Sequence, residues 1–203
     1  MKVASVVGAR PQFIKAAPVT TALQARGIDE FLVHTGQHYD ERMSEVFFTE
    51  LGIRPPDVNL AVGSGSHGAQ TASMLEGIER VLLERDPAGV LVYGDTNSTL
   101  AGALAAVKLG IPIAHVEAGL RSFNRQMPEE HNRVLTDHMA DLLFCPTPTA
   151  VDNLAREGVS DGVFEVGDTM YDAVLRFRDL ALGRGDALAR IGLQGGRFFL
   201  CTV

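Results

Sequence analysis

The sequence predicts an α/β fold, in which a parallel β-sheet carries helices on both of its faces. The first observation behind this prediction is a series of short apolar runs, rich in β-branched residues, which suit strands that are buried on both faces. The second is that most of the longer segments between these runs show the apolar spacing of helices. Strands and helices that alternate along a chain are typical of a parallel sheet.

Six apolar runs are predicted to be the strands of this sheet. Between the second and the third lies a segment, residues 54–68, that is rich in Pro and Gly and punctuated by Ser. We predict a surface loop there, in which only Val58–Val62 could form a short strand. The predicted strands are Val3–Val7, Phe31–Thr35, Val90–Tyr93, Ile113–Val116, Leu142–Cys145 and Val163–Val166.

Start and stop residues mark five helices among these strands. The signals are proline in a first helical turn, Ser or Thr at a cap, and Gly beyond the last turn. Pro18 lies inside the first helix and is expected to kink or restart it. The predicted helices are Pro11–Gly27, Gln70–Arg85, Thr96–Gly110, a helix that starts near Pro128, and Thr147–Gly158.

Composition and charge exclude several classes of protein. The 203 residues are 46% hydrophobic and 21% charged, which is ordinary for a globular protein with a sizeable core. A formal net charge of −7 lacks the positive field that binds phosphate backbones, so we expect no nucleic-acid partner. The N-terminal apolar run is interrupted by Gly8 and Arg10 and is too short for a signal peptide or a membrane span. We therefore expect a cytoplasmic protein with no membrane partner.

The end of the chain predicts a second domain that begins without being completed. Residues 1–182 are expected to form the first domain, and residues 183–203 a linker, a short helix and the first strand of a truncated second domain. The apolar run Arg197–Val203 reads as a strand with no helix after it. We therefore expect the chain to be part of a larger protein.

Polar residues that follow the predicted strands are the candidates for a functional site. Parallel strands end at a common edge of the sheet, where helix N-termini present unpaired N–H groups to ligands. Arg10 and Lys15 follow the first strand and suit an anion, while Gln37 and His38 follow the second strand. Each of these side chains could instead be a solvated residue of a loop or of a first helical turn.

Three acids fall at the same predicted edge. Asp95 follows the third strand, Glu117 follows the fourth, and Glu129 lies in a first helical turn. Asp95 could instead cap a helix, and opposition to the helix dipole would suffice to explain either Glu129 or Glu130. Crowded carboxylates push one another's pKa values apart, which separates acid and base roles. The sequence therefore predicts an acid–base site.

A metal site is the main alternative for this cluster. Ligand chemistry is present, but it lacks a standard spacing such as His-Glu-x-x-His. We therefore expect neither a metal ion nor a cofactor. The residues with ligand chemistry are His115, Glu117, His131, Asp137 and His138.

Six short motifs follow one another along nearly the whole chain. They are Gly-Ala-Arg-Pro-Gln at 8–12 with Lys15, Thr-Gly-Gln-His at 35–38, Gly-Asp-Thr at 94–96, His-Val-Glu-Ala-Gly-Leu-Arg at 115–121, Pro-Glu-Glu-x-Asn-Arg at 128–133 and Gly-Asp-x-Met-Tyr-Asp at 167–172. As an ordered set they resemble the non-hydrolysing UDP-N-acetylglucosamine 2-epimerases. Residues 115–133 are the most diagnostic part of the resemblance.

The resemblance implies a fold, a reaction and a partner. The fold is a Rossmann-like sheet that forms the first domain of a glycosyltransferase-B-type two-domain structure, with substrate in the cleft between the domains. The reaction interconverts UDP-N-acetylglucosamine and UDP-N-acetylmannosamine at carbon 2, by elimination of UDP and its re-addition on the other face. The family resemblance also implies a homodimer.

The resemblance assigns roles to the matching residues. Asp95, Glu117 and Glu129 become the catalytic acid and base candidates, with their individual roles left open. Gln37 and His38 match a pair that binds a second, activating substrate molecule in some members. An Arg-Gln-Thr stretch that acts with that pair is Ala69-Gln70-Thr71 here, and the alanine argues against such activation. The candidates for diphosphate or substrate contacts are Arg10, Lys15 and Arg133.

In this family a second domain supplies most of the uridine and diphosphate contacts. We therefore expect these 203 residues alone to fold but to lack measurable epimerase activity. The alternatives are a hydrolysing epimerase or a glycosyltransferase of the same architecture, or a single-domain module that binds a nucleotide sugar without chemistry.

Overall fold

The computed structural model describes residues 1–37, 54–183, 190–193, 199 and 201. His38 and most of the segment 183–203 lie outside these residues. The expectations for His38, for the domain boundary after residue 182 and for a strand at Arg197–Val203 therefore stay predictions.

Strands and helices alternate along most of the described residues. The strands are β1 Lys2–Val7, β2 Asp29–His34, β3 Val58–Asn59, β4 Gly89–Tyr93, β5 Ile113–Val116, β6 Leu142–Cys145 and β7 Val163–Glu165. The helices are α1 Arg10–Ala25, α2 His67–Arg85, α3 Asn97–Lys108, α4 Pro128–Met139, α5 Pro148–Arg156 and α6 Thr169–Gly183.

All seven strands pair in parallel in one sheet, in the order β3-β2-β1-β4-β5-β6-β7. Val6 at the centre of β1 lies opposite Val33 of β2 and Val92 of β4. The chain moves outward from β1 to β3 and then returns to add β4 on the other side of β1. The carboxyl ends of β1 and β4 therefore border the point where the strand order reverses, which is where ligands bind in open parallel sheets.

Two apolar layers bury the sheet. On one face α2 and α3 cover β1 and β4, with Met74, Ile78 and Leu82 fully or almost fully buried. On the other face Phe13 and its neighbours in α1 pack on the sheet, and Phe177 of α6 packs against them. The fold class predicted from the sequence is thus confirmed. In the described part of the chain no helix has the length and apolar content to cross a bilayer.

The structure refines three details of the predicted elements. Helix α1 runs through Pro18 without a restart, and Phe13, Ala16 and Ala17, which precede the proline, are buried against the sheet. Within the segment 54–68, β3 forms at the start of Val58–Val62, the one stretch predicted to be able to form a short strand, and it pairs with Val33 and His34. Helix α6 was not predicted.

A core residue and a surface residue of α2 offer a test of this packing. Ile78→Ala is expected to lower the free energy of unfolding by about 2–5 kcal/mol, because the fully buried side chain leaves a cavity between helix and sheet. Leu83→Ala, on the same helix but 66% exposed, is expected to change it by less than about 0.5 kcal/mol. Urea unfolding followed by circular dichroism measures both, and equal losses would contradict the described orientation of α2.

Candidate active site

Asp95 lies just beyond β4, and it is not the residue that caps α3. Thr96 is the residue that caps α3, since its hydroxyl accepts from the backbone N–H of Thr99 at 3.4 Å. The Asp95 carboxylate forms an ion pair with Arg133 and is 30% exposed. The alternative in which Asp95 caps the helix is therefore wrong, and its carboxylate faces the carboxyl edge of the sheet beside a guanidinium.

Glu117 and Lys15 form a second ion pair at the same edge. Lys15 comes from the second turn of α1, and Glu117 follows β5 with its backbone in the left-handed region at φ 75°. Both side chains are mostly shielded, at 11% and 20% exposed. A carboxylate and an ammonium in such a site are only partly screened by water, so their attraction is stronger than that of a fully exposed pair.

Gly94 lies against the Lys15–Glu117 pair and precedes Asp95 in the chain. A Cβ built at Gly94 would lie 3.1 Å from the Glu117 carboxylate and 3.1 Å from Nζ of Lys15. Its φ of 63° also favours glycine. Since Gly94 immediately precedes Asp95, the Lys15–Glu117 pair lies against the backbone that carries Asp95. The predicted convergence of Asp95 and Glu117 at one edge is what the structure has.

Glu129 and Glu130 are neighbours with different environments. The buried Glu130 accepts from the Ser122 N–H at 2.9 Å, the Ser122 hydroxyl at 2.9 Å and the Phe123 N–H at 2.8 Å. Burial alone would raise the pKa of Glu130, but these hydrogen bonds and the charge of Arg133 hold it below its usual value. Glu129 is half-buried, and its side chain makes no hydrogen bond or ion pair with the described residues. The structural role therefore belongs to Glu130, which leaves Glu129 available for chemistry.

Arg133 joins two of these acids. One of its terminal nitrogens contacts the carboxylate of Asp95, and the other donates to Oε2 of Glu130 at 3.0 Å. The guanidinium is 14% exposed. Arg133 therefore fixes the position of Asp95 in this structure, and any contact it makes with a diphosphate would compete with that ion pair.

Arg10 and Gln37 are the other predicted binding residues that the structure describes. Arg10 is the exposed first residue of α1. The side chain of Gln37 accepts from the backbone N–H of Ser98 at 3.1 Å and from its hydroxyl at 2.7 Å, which holds the start of α3. The roles of both residues in substrate binding stay predictions, as does that of His38.

Several polar residues that position this edge were not predicted from the sequence. Gln12 accepts from the N–H groups of Gly8 and Ala9 at 2.8 and 2.9 Å, and donates to the carbonyl of Tyr93 at 2.8 Å. It therefore joins the loop after β1 to the loop after β4. Its place inside the motif at residues 8–12 was the signal that the sequence offered. The partners that a buried amide needs come from other parts of the fold, so the motif could not reveal them.

A second polar network joins three helices beside Asp95. Asn132 donates to the carbonyl of Asp95 at 2.9 Å and to Oδ1 of Asn97 at 3.2 Å, and Asn97 donates to Oε1 of Gln70 at 2.9 Å. Gln70 in turn donates to the carbonyl of Gly63 at 2.8 Å. The network borders an open cavity of about 500 Å³ between α2, α3 and α4, which is lined in part by His67, Thr71, Asn97, His131 and Asn132.

The metal alternative finds no support in the described residues. Both ring nitrogens of His115 have partners, Asp137 and the carbonyl of Gly94, each at 2.7 Å. His138 pairs with Glu157, and His131 contacts the carbonyl of Arg125. No group of three His, Cys, Asp or Glu side chains in the described ranges is arranged to hold a metal ion.

The parallel sheet, with paired acids and cations at its carboxyl edge, defines the chain as a Rossmann-like domain of the glycosyltransferase-B type. A solved structure of MurG from Acinetobacter baumannii has this fold at a TM-score of 0.52 and 16% identity, over 73% of this chain and 41% of that chain. The chain belongs to the UDP-N-acetylglucosamine 2-epimerase family, whose sequence model matches residues 21–203.

Two relatives are much more similar. A Pseudomonas aeruginosa protein named UDP-2,3-diacetamido-2,3-dideoxy-D-glucuronate 2-epimerase is 56% identical over 185 residues, which cover 89% of this chain and 52% of that protein. The crystal structure of Methanocaldococcus jannaschii UDP-GlcNAc 2-epimerase in complex with UDP-GlcNAc and UDP matches with a TM-score of 0.91 and 50% identity, over 95% of this chain and 53% of that chain. The chain spans about half the length of the curated relatives it matches.

Substitution of the two neighbouring glutamates is expected to affect stability to different extents. Glu130→Gln is expected to lower the free energy of unfolding at neutral pH by about 1–3 kcal/mol, because buried donors lose a charged acceptor. The pKa of Glu130 is depressed by folding, so its contribution is present above the usual glutamate pKa of about 4.3 and is lost as the pH falls through the folded value.

The matched control is Glu129→Gln, which is expected to change the free energy of unfolding by less than about 0.5 kcal/mol. Denaturant unfolding at neutral and acidic pH measures both variants. A loss for Glu130→Gln that does not shrink in acid would contradict the charged role assigned to Glu130.

Proposed function

We propose that the chain is the N-terminal half of an epimerase that interconverts UDP-N-acetylglucosamine and UDP-N-acetylmannosamine at carbon 2. The observation that carries the proposal is the meeting of two carboxylate–cation pairs, Asp95–Arg133 and Lys15–Glu117, beside Gly94. Membership in a family of 2-epimerases and the likeness to a solved complex with UDP-GlcNAc and UDP support it.

The chemistry requires both kinds of charge. Carbon 2 of the sugar has no adjacent carbonyl to acidify its proton, so loss of that proton must be coupled to departure of UDP from carbon 1. A carboxylate takes the proton from carbon 2, and the electrons of the carbon–oxygen bond leave with UDP to give a glycal. Protonation of carbon 2 on the opposite face and re-formation of the bond to UDP complete the exchange. Cations stabilise the diphosphate that departs.

The ion pairs suit this reaction because they can be shared with the substrate. Lys15 and Arg133 balance the charges of Glu117 and Asp95 in the unliganded site. A diphosphate that contacts either cation would compete with the carboxylate for that cation. Glu129, which has no described partner, is the third acid available for proton transfer.

A second sugar substrate is supported by one observation. The P. aeruginosa relative, 56% identical, is named for a UDP-sugar with acetamido groups at carbons 2 and 3 and a carboxylate on the sugar. Epimerisation at carbon 2 would use the same acids for either sugar. Separate assays with UDP-N-acetylglucosamine and with UDP-2,3-diacetamido-2,3-dideoxy-D-glucuronate distinguish them.

The setting of the reaction follows the family resemblance. We propose a UDP-sugar as the ligand, a homodimer as the assembly and the cytoplasm as the location, with no nucleic-acid or membrane partner.

Product analysis distinguishes the proposed epimerase from the alternative functions of the same architecture. Free N-acetylmannosamine with UDP would indicate a hydrolysing epimerase, transfer to an acceptor a glycosyltransferase, and binding without turnover a non-catalytic module.

The three acids are expected to be required for turnover. In the full-length gene product, Asp95→Asn, Glu117→Gln and Glu129→Gln should each lower kcat by about 100- to 10,000-fold, because each removes a group that can transfer a proton. The measurement is conversion of UDP-N-acetylglucosamine in D₂O, with deuterium at carbon 2 of the product. Glu84→Gln, an exposed acid on α2, is the control and should leave kcat unchanged. Full activity in all three variants would refute the acid–base site.

The 203 residues alone are expected to give no measurable turnover of UDP-N-acetylglucosamine. The physical reason is that they span about half the length of the relatives, and the resemblance places most uridine and diphosphate contacts in the other half. The same assay at high protein concentration tests this, with the full-length gene product as the positive control. Turnover by the 203 residues would show that one domain suffices.

A further inference from the structure

His115 is a fully buried histidine with an acceptor at each ring nitrogen. It lies in β5, two residues before Glu117. Its Nδ1 is 2.7 Å from Oδ1 of Asp137, and its Nε2 is 2.7 Å from the carbonyl oxygen of Gly94. The ring therefore bridges the buried carboxylate of α4 and the backbone immediately before Asp95.

Counting protons fixes the state of the ring. The carbonyl of Gly94 can only accept, so Nε2 carries a hydrogen. The other carboxylate oxygen of Asp137 accepts from the Gly119 N–H at 3.0 Å and from Arg121 at 2.6 Å, so it has no proton of its own. The ion pair between Arg121 and Asp137 keeps this buried carboxylate ionised, so Oδ1 of Asp137 is an acceptor as well. The ring must therefore also donate from Nδ1.

A neutral ring would be poorly matched to this site. With its hydrogen on Nε2, it would direct the lone pair of Nδ1 at the Asp137 carboxylate; with its hydrogen on Nδ1, it would direct the lone pair of Nε2 at the Gly94 carbonyl. Either arrangement places two acceptors 2.7 Å apart in a site without solvent. The charged ring satisfies both acceptors.

We propose that His115 is held as an imidazolium and acts as a positioning residue, which fixes Gly94 and hence Asp95 relative to Glu117. This role rests on the proposed epimerase function, whereas the charge of the ring does not. The imidazolium donates from Nε2 to the carbonyl that precedes Asp95 and from Nδ1 to Asp137. Asp137 in turn holds Gly119, two residues beyond Glu117.

The charges around the ring are balanced. Asp137 on α4 faces His115 directly, and Arg121 and Glu157 extend the chain of alternating charges to the surface. On the neighbouring strand β6, burial and then the charge of Asp137 raise the pKa of Cys145 to about 11, so its thiol stays neutral. The cations His115 and Arg121 thus alternate with the anions Asp137 and Glu157, which lessens the cost of burying a charged ring.

The charge of the ring is tested by ¹⁵N spectra of the histidine-labelled chain at neutral pH. We expect protons on both ring nitrogens of His115, assigned by their loss in His115→Gln. His34 is the internal comparison: it is also buried, but burial lowers its pKa more than its hydrogen bond to Asn59 raises it, so it should carry one proton. A single protonated nitrogen on His115 would overturn the proposal.

The positioning role is tested by kinetics of the full-length gene product. His115→Gln is expected to lower kcat by about 10- to 100-fold while KM changes less than about 3-fold, because a displaced Asp95 impairs the reaction whereas the ring itself touches no substrate. His138→Gln is the matched control, since that exposed histidine pairs with Glu157 and does not contact Gly94. It should leave both constants unchanged.

The outcomes separate this inference from the proposed function. If the wild-type protein turns over UDP-sugars and His115→Gln keeps the wild-type kcat, the positioning role is overturned and the epimerase proposal stands. If the wild-type protein turns over neither candidate sugar but both ring nitrogens of His115 are protonated, the epimerase proposal is overturned and the charged ring is supported.

Discussion

The geometry of the site depends on the hydrogen bonds that the buried carboxylate of Asp137 accepts. It receives hydrogen bonds from the ring of His115, the backbone of Gly119 and the guanidinium of Arg121, which belong to β5 and to the loop that follows it. Without that carboxylate three buried donors would lack an acceptor, at a cost far above that of one surface hydrogen bond. Glu117 lies between His115 and Gly119 in the chain, so the hydrogen bonds of Asp137 to these two residues set its position.

In two places of this domain one of two adjacent residues makes the structural hydrogen bonds and the other does not. Thr96 caps α3, which leaves Asp95 to pair with Arg133. Glu130 holds the loop at residues 122–123, which leaves Glu129 without a described partner. A carboxylate that is committed to several backbone N–H groups is a poor proton carrier, because those bonds favour its charged form. The division explains how a helix start can be both firmly held and chemically available.

The sequence predicted the strands better than it predicted the site contacts. The bounds of β5 and β6 agreed because strands buried on both faces leave continuous apolar runs. Helix α6 was missed because Tyr171, Val174 and Leu182 are exposed, so its apolar residues do not form one buried stripe.

The motifs located the three acids and most of the cations. These side chains lie at one edge of the sheet because parallel strands all end there. The motifs gave no means to separate Glu129 from Glu130, since both occupy the first turn of α4 and the partners of Glu130 lie on a loop. The partners of Gln12 and His115 likewise come from other strands.

Glu117 has a left-handed backbone conformation, which glycine adopts more readily than other residues do. A side chain at φ 75° costs about 1–2 kcal/mol relative to the right-handed region, and the fold tolerates this because its neighbours are fixed on both sides. Glycine at residue 117 would relieve this cost, but it would also leave the mostly shielded ammonium of Lys15 without its partner. The strained backbone and the ion pair are therefore coupled through one residue, and neither can be removed by substitution at 117 without the other.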